Sequence, residues 1–310
     1  MSLFRRMLQS RSLAAVALAC MVTVALVSVT KAGIQGSGIR RVAAFGTISP
    51  GSQLTVNGVV YDATDATVVI NGSPGKTSSL HAGHIVSIKG TEEGSKSRAD
   101  EIMLVSEVRG EITAVDARAR TLTVLGQVVR VSEGVGAFQP GMLVTVSGFA
   151  DAQGIFNASS IDVEASQFAA QVKGVVEFLD RERALLRIGN LTVDYSSAGI
   201  QGTIAEGVTV IAKGVAVGHD NMLSASSIEV YRGFGEPGSK GNLEGIITAF
   251  ASEQDFDVNG QQVLGDADTK YILHGTQLGP NVQVRVKGRF DAAGVLVADK
   301  IQAEKPSKKK

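Results

Sequence analysis

Residues 122–129 read Leu-Thr-Val-Leu-Gly-Gln-Val-Val, which is two short runs of aliphatic and β-branched residues around one glycine. Such runs on either side of a tight turn are typical of a β-hairpin. The same spacing recurs three more times, and in two copies the turn is Asn-Gly, the pair that best tolerates the positive φ angles of a type I′ turn. The further copies are residues 54–58, 186–190 and 256–260.

Other features recur around each hairpin, so the chain contains four copies of one unit. Each copy opens with a glycine in a predicted strand, where we expect a bend or bulge. A second glycine lies seven residues after a turn residue, and the residues between them alternate with the period of a half-buried strand. In the fourth copy the turn residue is Asn281, which predicts a left-handed backbone there. The opening glycines are Gly46, Gly110, Gly174 and Gly245, and the later pairs are Gly83/Gly90, Gly141/Gly148, Gly207/Gly214 and Asn281/Gly288.

The predicted fold class is all-β, with tandem repeats of small five-stranded barrels like the oligonucleotide/oligosaccharide-binding (OB) fold, after an N-terminal signal segment. Closure is expected because an open five-stranded sheet would leave a long edge exposed. A Gly/Pro-rich stretch predicts a flexible linker before the last repeat, while tight junctions predict that the first three repeats pack together. The predicted segments are repeat 1 (42–106), repeat 2 (107–168), repeat 3 (169–232), the linker (233–241), repeat 4 (242–304) and a basic tail (305–310).

Residues 1–32 have the pattern of a secretory signal peptide: basic residues, an apolar run over 13–29, and small residues at its end. The alternative is an uncleaved membrane anchor, because the run is nearly long enough to span a bilayer. We therefore expect an exported protein, periplasmic or at the cell surface, which in the alternative is anchored in the inner membrane by this segment alone. The single cysteine, Cys20, lies in the apolar run, so the mature chain has no disulfide.

The charge distribution argues against a nucleic-acid partner. The whole chain has 30 basic and 30 acidic residues, but four of the basic ones lie in residues 1–32 and four in the tail. The body between them carries 22 basic and 30 acidic side chains. A nucleic-acid binder gains affinity by neutralising phosphates, and this body has the opposite sign.

Several of these motifs together resemble a bacterial family of domains of unknown function. Its members are exported proteins that carry tandem OB-like β-repeats, so the resemblance implies export, a β-repeat architecture and a bacterial cell envelope. It implies no functional residue, because the family has no assigned activity. The motifs are Val56-Asn57-Gly58-Val59, residues 122–129, Pro140-Gly141 with Val144-Thr145-Val146-Ser147-Gly148, and Ala158 with Ile161.

His81 and His84 are the one close pair of histidines and thus weak candidates for metal ligands. In the repeat alignment His84 takes the place of Met142, Val208 and Val282, an inward apolar position, whereas His81 falls on the preceding turn. We therefore expect the two side chains to diverge, with no third ligand. The sequence-based prediction is no metal site and no cofactor.

The remaining chemistry-bearing residues follow no catalytic or ligand-binding pattern. Residues 73–77 end in Gly-Lys-Thr, but Ile70 stands where a phosphate-binding loop requires glycine. The scattered acids match no calcium loop and are expected on wet faces and turns. Their closest groups are Glu92/Glu93, Asp100/Glu101, Asp255/Asp257 and Asp266/Asp268.

Aromatic residues are few, and the repeat alignment divides them into two groups. Phe138, Phe178, Phe250 and Phe256 occupy places that are aliphatic in other repeats, so we predict them in cores. Phe45, Phe149, Phe290 and Tyr231 have no such match and are predicted at the surface.

Together these observations predict a non-catalytic extracytoplasmic binding or scaffold protein of the cell envelope. Its partner would be an envelope protein or polysaccharide. The alternative is a periplasmic protein that binds an oligosaccharide or a metal ion at a barrel mouth or between repeats.

Overall fold

The computed structural model describes residues 38–217 and 221–304. The signal peptide or anchor (1–32), Cys20 and the basic tail (305–310) lie outside these residues. Within them the chain forms strands and two single-turn 3-10 helices, Thr77–Ser79 and Val135–Ala137. No helix in the described part of the chain is long and apolar enough to cross a membrane.

All four predicted repeats consist of short strands. Repeat 1 contains β1 (Ile39–Thr47), β2 (Thr55–Val56), β3 (Val59–Asp62), β4 (Thr67–Ile70), β5 (Ser73–Pro74), β6 (Ile85–Glu93) and β7 (Lys96–Leu104). Repeat 2 contains β8 (Val108–Asp116), β9 (Thr121–Val124), β10 (Gln127–Arg130), β11 (Leu143–Ala150) and β12 (Phe156–Val163). Repeat 3 contains β13 (Ala170–Val175), β14 (Phe178–Asp180), β15 (Leu185–Ile188), β16 (Leu191–Asp194), β17 (Gly199–Gln201), β18 (Thr209–Val217) and β19 (Met222–Val230). Repeat 4 contains β20 (Lys240–Ser252), β21 (Asp255–Val258), β22 (Gln261–Leu264), β23 (Lys270–Ile272), β24 (Gln283–Phe290) and β25 (Leu296–Ala303).

Repeat 2 shows the barrel in its simplest form. Its strands pair in the order β8-β9-β10-β12-β11 and return to β8, with the β10–β12 pair parallel and the others antiparallel. Alternate side chains, among them Leu122, Val124, Val129 and Val146, point inward and are buried. This confirms the all-β prediction of five-stranded OB-like barrels.

The tight turns also follow the sequence. Asn57-Gly58 and Asn259-Gly260 both have positive φ at their two central positions, as type I′ hairpins require. Asn281, the one non-glycine among the four turn residues, has φ of 69°. The predicted left-handed backbone is confirmed.

Bulges lie at the later glycines in all four repeats, where the register shifts just before the second glycine, for example between Ser147 and Gly148. The opening strands of repeats 2 and 4 also contain a register shift, as predicted, starting two residues after their opening glycines at Ile112 and Ile247. A Cβ on Gly148 would stand 2.4 Å from the carbonyl oxygen of Asn157, so only glycine allows this approach of the strands. The opening glycine has another role, because a Cβ on Gly46 would stand 2.2 Å from Asn57 Oδ1 of the hairpin turn.

The repeats join in pairs that do not follow chain order. Strand β1 of repeat 1 pairs in parallel with β20 of repeat 4, giving a 13-stranded sheet that we call the outer block. Strand β8 of repeat 2 pairs antiparallel with β13 of repeat 3, giving a 12-stranded sheet that we call the inner block. Among the described residues no strand pairs across the boundary of the two blocks, which we call the seam.

The predicted flexible linker at 233–241 is wrong, because this segment is packed. Phe234 is 4% exposed and its ring lies 5.5 Å from that of Phe45 and 5.1 Å from that of Phe290, between centroids. Strand β20 already begins at Lys240. Repeat 4 is thus fixed to repeat 1, in addition to the contacts among repeats 1 to 3 that the tight junctions predict.

The aromatic predictions failed at the positions where repeats meet. Phe45, Phe149 and Phe290 are buried, and Phe149 of repeat 2 packs on Phe45 across the seam with centroids 6.3 Å apart. Conversely, Phe178 is 51% exposed, although Phe256 lies in a core as predicted. Phe45 and Phe149 were misjudged because they fill the space between barrels and not the core of a single one.

A buried ion pair lies where the inner block's two repeats meet. Lys173 Nζ donates to Glu107 Oε1 at 3.0 Å, and each side chain is 5% exposed. The ammonium group also lies 4.6 Å from the centroid of the Tyr231 ring and 5.6 Å from that of Phe45. Burial raises the pKa of the Glu107 carboxyl against the attraction of Lys173.

Candidate metal centre

Two histidines and one aspartate meet across the seam, between repeats 1 and 2. His81 and His84 stand on the turn that leads into β6, and Asp162 lies near the end of β12. His81 Nε2 is 2.9 Å from Asp162 Oδ1, and His84 Nε2 is 2.8 Å from Asp162 Oδ2. The two imidazole rings lie side by side, with centroids 3.6 Å apart.

The turn is held against β12 by its backbone. Gly83 has φ of 92°, and a Cβ there would stand 2.5 Å from the carbonyl oxygen of Ser159. The Ser159 hydroxyl donates to the carbonyl of Gly83 at 2.5 Å. Glycine at this position therefore lets repeat 1 approach repeat 2 closely enough for the three side chains to meet.

The prediction that the two histidines diverge is wrong. His84 does take the inward position that is apolar in other repeats, and its side chain is 7% exposed. His81 lies on the turn, 49% exposed, but folds back over His84 instead of turning to solvent.

The third residue, Asp162, was missed because nothing in the sequence places it near the histidines. It aligns with Met103, Glu229 and Gln302 of the other repeats, a position without a recurrent chemistry. Only the docking of repeat 2 on repeat 1 brings it to the turn. Spacing within one repeat carries no signal for such a ligand.

The hydrogen bonds of His81 leave two acceptor atoms facing each other, and a cation between them would satisfy both. His81 Nδ1 lies 2.9 Å from the carbonyl oxygen of Ala82, which can only accept, so Nδ1 carries the proton. In the neutral ring Nε2 is then an acceptor, and it faces a carboxylate oxygen of Asp162 at 2.9 Å. Two acceptors at this distance require a positive ion between them, either a proton on Nε2 or a metal ion.

His84, by contrast, is satisfied as a neutral ring. Its Nδ1 accepts from the backbone N–H of His81 at 3.4 Å, so Nε2 carries the proton that is donated to Asp162. A metal ion at Nε2 would displace this proton, since a ligand nitrogen must be deprotonated. The proton of the ring would then lie on Nδ1, which could no longer accept from the backbone N–H of His81. The hydrogen bond lost in this way is long and therefore weak.

The electrostatics favour an ionised carboxylate in this cluster. Partial burial alone would raise the pKa of Asp162, but the hydrogen bonds with His84 and His81 outweigh it. The net pKa lies below the ordinary value for aspartate. Asp162 is therefore present as the charged form that a metal ion requires.

The donor set fits a divalent transition metal. The ligand atoms of the three residues all lie within 4.8 Å of one another. In a tetrahedral zinc site, bonds of about 2.0–2.1 Å place the donor atoms about 3.3 Å apart. The present nitrogen–oxygen distances would need to open by about 0.4 Å, a movement that the half-exposed His81 side chain can make.

Other predicted groups are engaged in structural contacts. Glu92 pairs with Lys240 of repeat 4 at 2.6 Å, and Asp100 with Arg98 at 3.4 Å. Asp266 accepts from the backbone N–H of Asp268 at 2.9 Å and so closes its own turn. Asp257, next to Asp255, has a pKa raised by burial and by that neighbouring carboxylate. Among the described residues, none of these acids belongs to a group of three possible metal ligands.

A second feature crosses the seam between repeats 1 and 3. It is a cleft of about 460 Å³, within the size range of small-molecule sites. Lys213 on one wall donates to the backbone carbonyl of Asn71 on the other at 2.9 Å. Gln171 at the same place donates to the carbonyl of Ser106 at 2.8 Å. These polar groups are already bonded to each other across the cleft.

Comparison with known proteins identifies the repeats. A profile described as domain of unknown function (DUF5666) matches residues 41–103, 109–162 and 244–302, that is, repeats 1, 2 and 4. Repeat 3 has no match to it, although its strands pair in the same order. No curated protein matches the chain.

Proposed function

The chain belongs to the DUF5666 family, and we propose that it is a non-catalytic exported protein that binds a divalent transition-metal ion at His81, His84 and Asp162. One observation carries this proposal. His81 Nδ1 is committed to the carbonyl of Ala82, so Nε2 and the Asp162 carboxylate that it faces require a positive ion between them, which we propose to be a metal ion.

The chemistry of the ligands selects the class of metal. Imidazole nitrogen suits zinc, copper, nickel and iron, whereas calcium and magnesium prefer an all-oxygen environment. Two imidazoles and one carboxylate therefore favour the first group. Three protein donors leave at least one coordination position for solvent.

Binding without turnover is proposed because the hydroxyl groups nearest to the cluster are engaged in contacts within the described structure. The nearest hydroxyl groups, Ser159 and Ser160, are bonded to Gly83 and Asp162. The Ser159 contact docks the turn on β12, and the Ser160 contact lies within β12.

The proposed location rests on the sequence alone. Residues 1–32 have the pattern of a secretory signal, and the motifs resemble exported bacterial proteins. In the periplasm or at the cell surface the protein would act on an envelope component. A scaffold role toward an envelope protein or polysaccharide is the alternative if no metal binds.

The test is titration of the purified metal-free chain with Zn²⁺ by isothermal calorimetry, with Mg²⁺ and Ca²⁺ as competitors. We expect one Zn²⁺ per chain, undisturbed by either competitor. Asp162→Asn should lower the affinity by more than about 100-fold, since it removes a ligand and not merely a supporting contact.

Two matched controls are available in the chain. Glu229→Gln changes the acid at the equivalent position of repeat 3, and His274→Asn removes an isolated histidine whose φ of 49° asparagine tolerates. Both should bind Zn²⁺ like the wild type. Zn²⁺ binding that survives Asp162→Asn, or no binding to the wild type, would overturn the proposal.

A further inference from the structure

The seam between the two blocks is held by side-chain contacts, including those of Lys213 and Gln171 described above. No strand pairs across it in the described residues, so its polar contacts are made by side chains. Asn281 of repeat 4 accepts from the backbone N–H of Ala152 at 2.7 Å and donates to Gln153 at 2.9 Å. Phe149 contributes the apolar contact by entering the core of the outer block.

The candidate metal ligands come from both sides of this seam. His81 and His84 belong to the outer block, and Asp162 belongs to the inner block. Within the blocks, by contrast, the repeats are joined by strand pairing and, in the inner block, by the buried pair of Glu107 and Lys173. The cluster thus lies at a junction between blocks that has no hydrogen-bonded ladder of its own.

We infer that the metal ion acts as a latch that closes the seam and fixes the inner block against the outer block. This inference rests on the proposed metal binding and names its consequence for the molecule. A ligand that needs donors from both blocks binds the closed seam and not the opened one, so it must shift the equilibrium toward closure. By linkage, anything that raises the population of the opened seam must weaken apparent metal binding, to the extent that it lowers the fraction of closed molecules.

The far contacts make this reciprocity measurable. Phe149 and Asn281 touch neither histidine nor Asp162, but both hold the same seam. Phe149→Ala should therefore lower the Zn²⁺ affinity about 5-fold or more, the lower end of typical coupling between sites. The matched control is Phe250→Ala, which removes a partly buried ring from the core of repeat 4, away from the seam.

Hydrogen exchange gives a second measurement that does not depend on a variant. Zn²⁺ should slow exchange of the backbone amide of Ala152 in the wild type, because this amide donates to Asn281 across the seam although it does not lie at the metal. It should leave this exchange unchanged in Asp162→Asn. Amides inside a barrel, such as that of Val124, should be unaffected.

The outcomes separate the latch from the binding itself. If calorimetry finds no Zn²⁺ binding, the proposed function fails. If Zn²⁺ binds but the affinities of Phe149→Ala and Phe250→Ala are equal and the exchange of Ala152 does not change, the latch alone is overturned. If Phe149→Ala unfolds, Asn281→Gly, which keeps the left-handed backbone but removes both side-chain bonds, provides the same test.

Discussion

Two of the ionic groups that join different repeats of this protein differ in their access to water. Glu107 and Lys173 are sealed between repeats 2 and 3, whereas His81, His84 and Asp162 meet at an open edge between repeats 1 and 2. Neither Glu107 nor Lys173 can exchange its partner for another ion, because removing either charge leaves the other buried and unpaired. The open cluster can admit an ion, since His81 and Asp162 are reached by solvent. The difference separates a group that fixes structure from one that can bind a ligand.

The sealed pair should give the largest effect of any change considered. Lys173→Met leaves Glu107 buried without a partner and should lower the free energy of unfolding by about 3–5 kcal/mol. Replacing both residues by Met and Leu should restore most of this loss. Urea unfolding followed by circular dichroism measures both. A double variant as unstable as the single one would show that the charges themselves are required.

The open cluster should respond to metal instead. At a Zn²⁺ concentration 100 times the dissociation constant, the free energy of unfolding of the wild type should rise by about 2.7 kcal/mol. Lys173→Met and its double variant should show the same increment, provided that they fold, and Asp162→Asn should show none. Removal of the metal with a chelator should reverse the gain. A gain retained by Asp162→Asn would place the ion elsewhere.

The pH dependence of stability should distinguish the two groups further. The pKa of Glu107 is raised in the folded protein, so the native state holds this proton more strongly than the unfolded chain does. Its contribution to stability is therefore present at low pH and is lost as pH rises from the ordinary carboxyl pKa to the raised one. Glu107→Gln should flatten this slope in unfolding curves measured without metal. An unchanged slope would assign it to other groups.

The smallest effect should come from the open cluster without metal. Asp162 is one-third exposed, and ion pairs in such positions contribute about 0–1 kcal/mol. Asp162→Asn should thus change the unfolding free energy of the metal-free protein by no more than about 1 kcal/mol. A larger loss would make the cluster a structural ion pair and remove its contrast with Glu107 and Lys173.

The sequence predicts what lies within a repeat and misses what lies between repeats. Alternation and turn residues identified the barrels, because each barrel closes through contacts between neighbouring strands, as at Asn57-Gly58 and Asn281. Phe45, Phe149 and Asp162 were misjudged or missed because their partners come from other repeats. The Gly/Pro segment was predicted to be a linker from its composition. Its burial depends on contacts of Phe234 with Phe45 of repeat 1 and Phe290 of repeat 4, which the local sequence does not reveal.

The pairing of the first repeat with the last has a consequence for the order of folding. Strand β8 pairs with β13 about 60 residues further along the chain, where Arg109 lies opposite Gln171. Strand β1 pairs with β20 much later in the chain, where Val42 lies opposite Lys240. Closing the longer loop costs about 1 kcal/mol more entropy, because the cost grows with the logarithm of loop length. During synthesis from the N-terminus, the inner block can form as soon as it emerges. Strand β1 keeps one edge unpaired until the final repeat arrives, so this edge is the surface that a chaperone of the folding chain would have to cover.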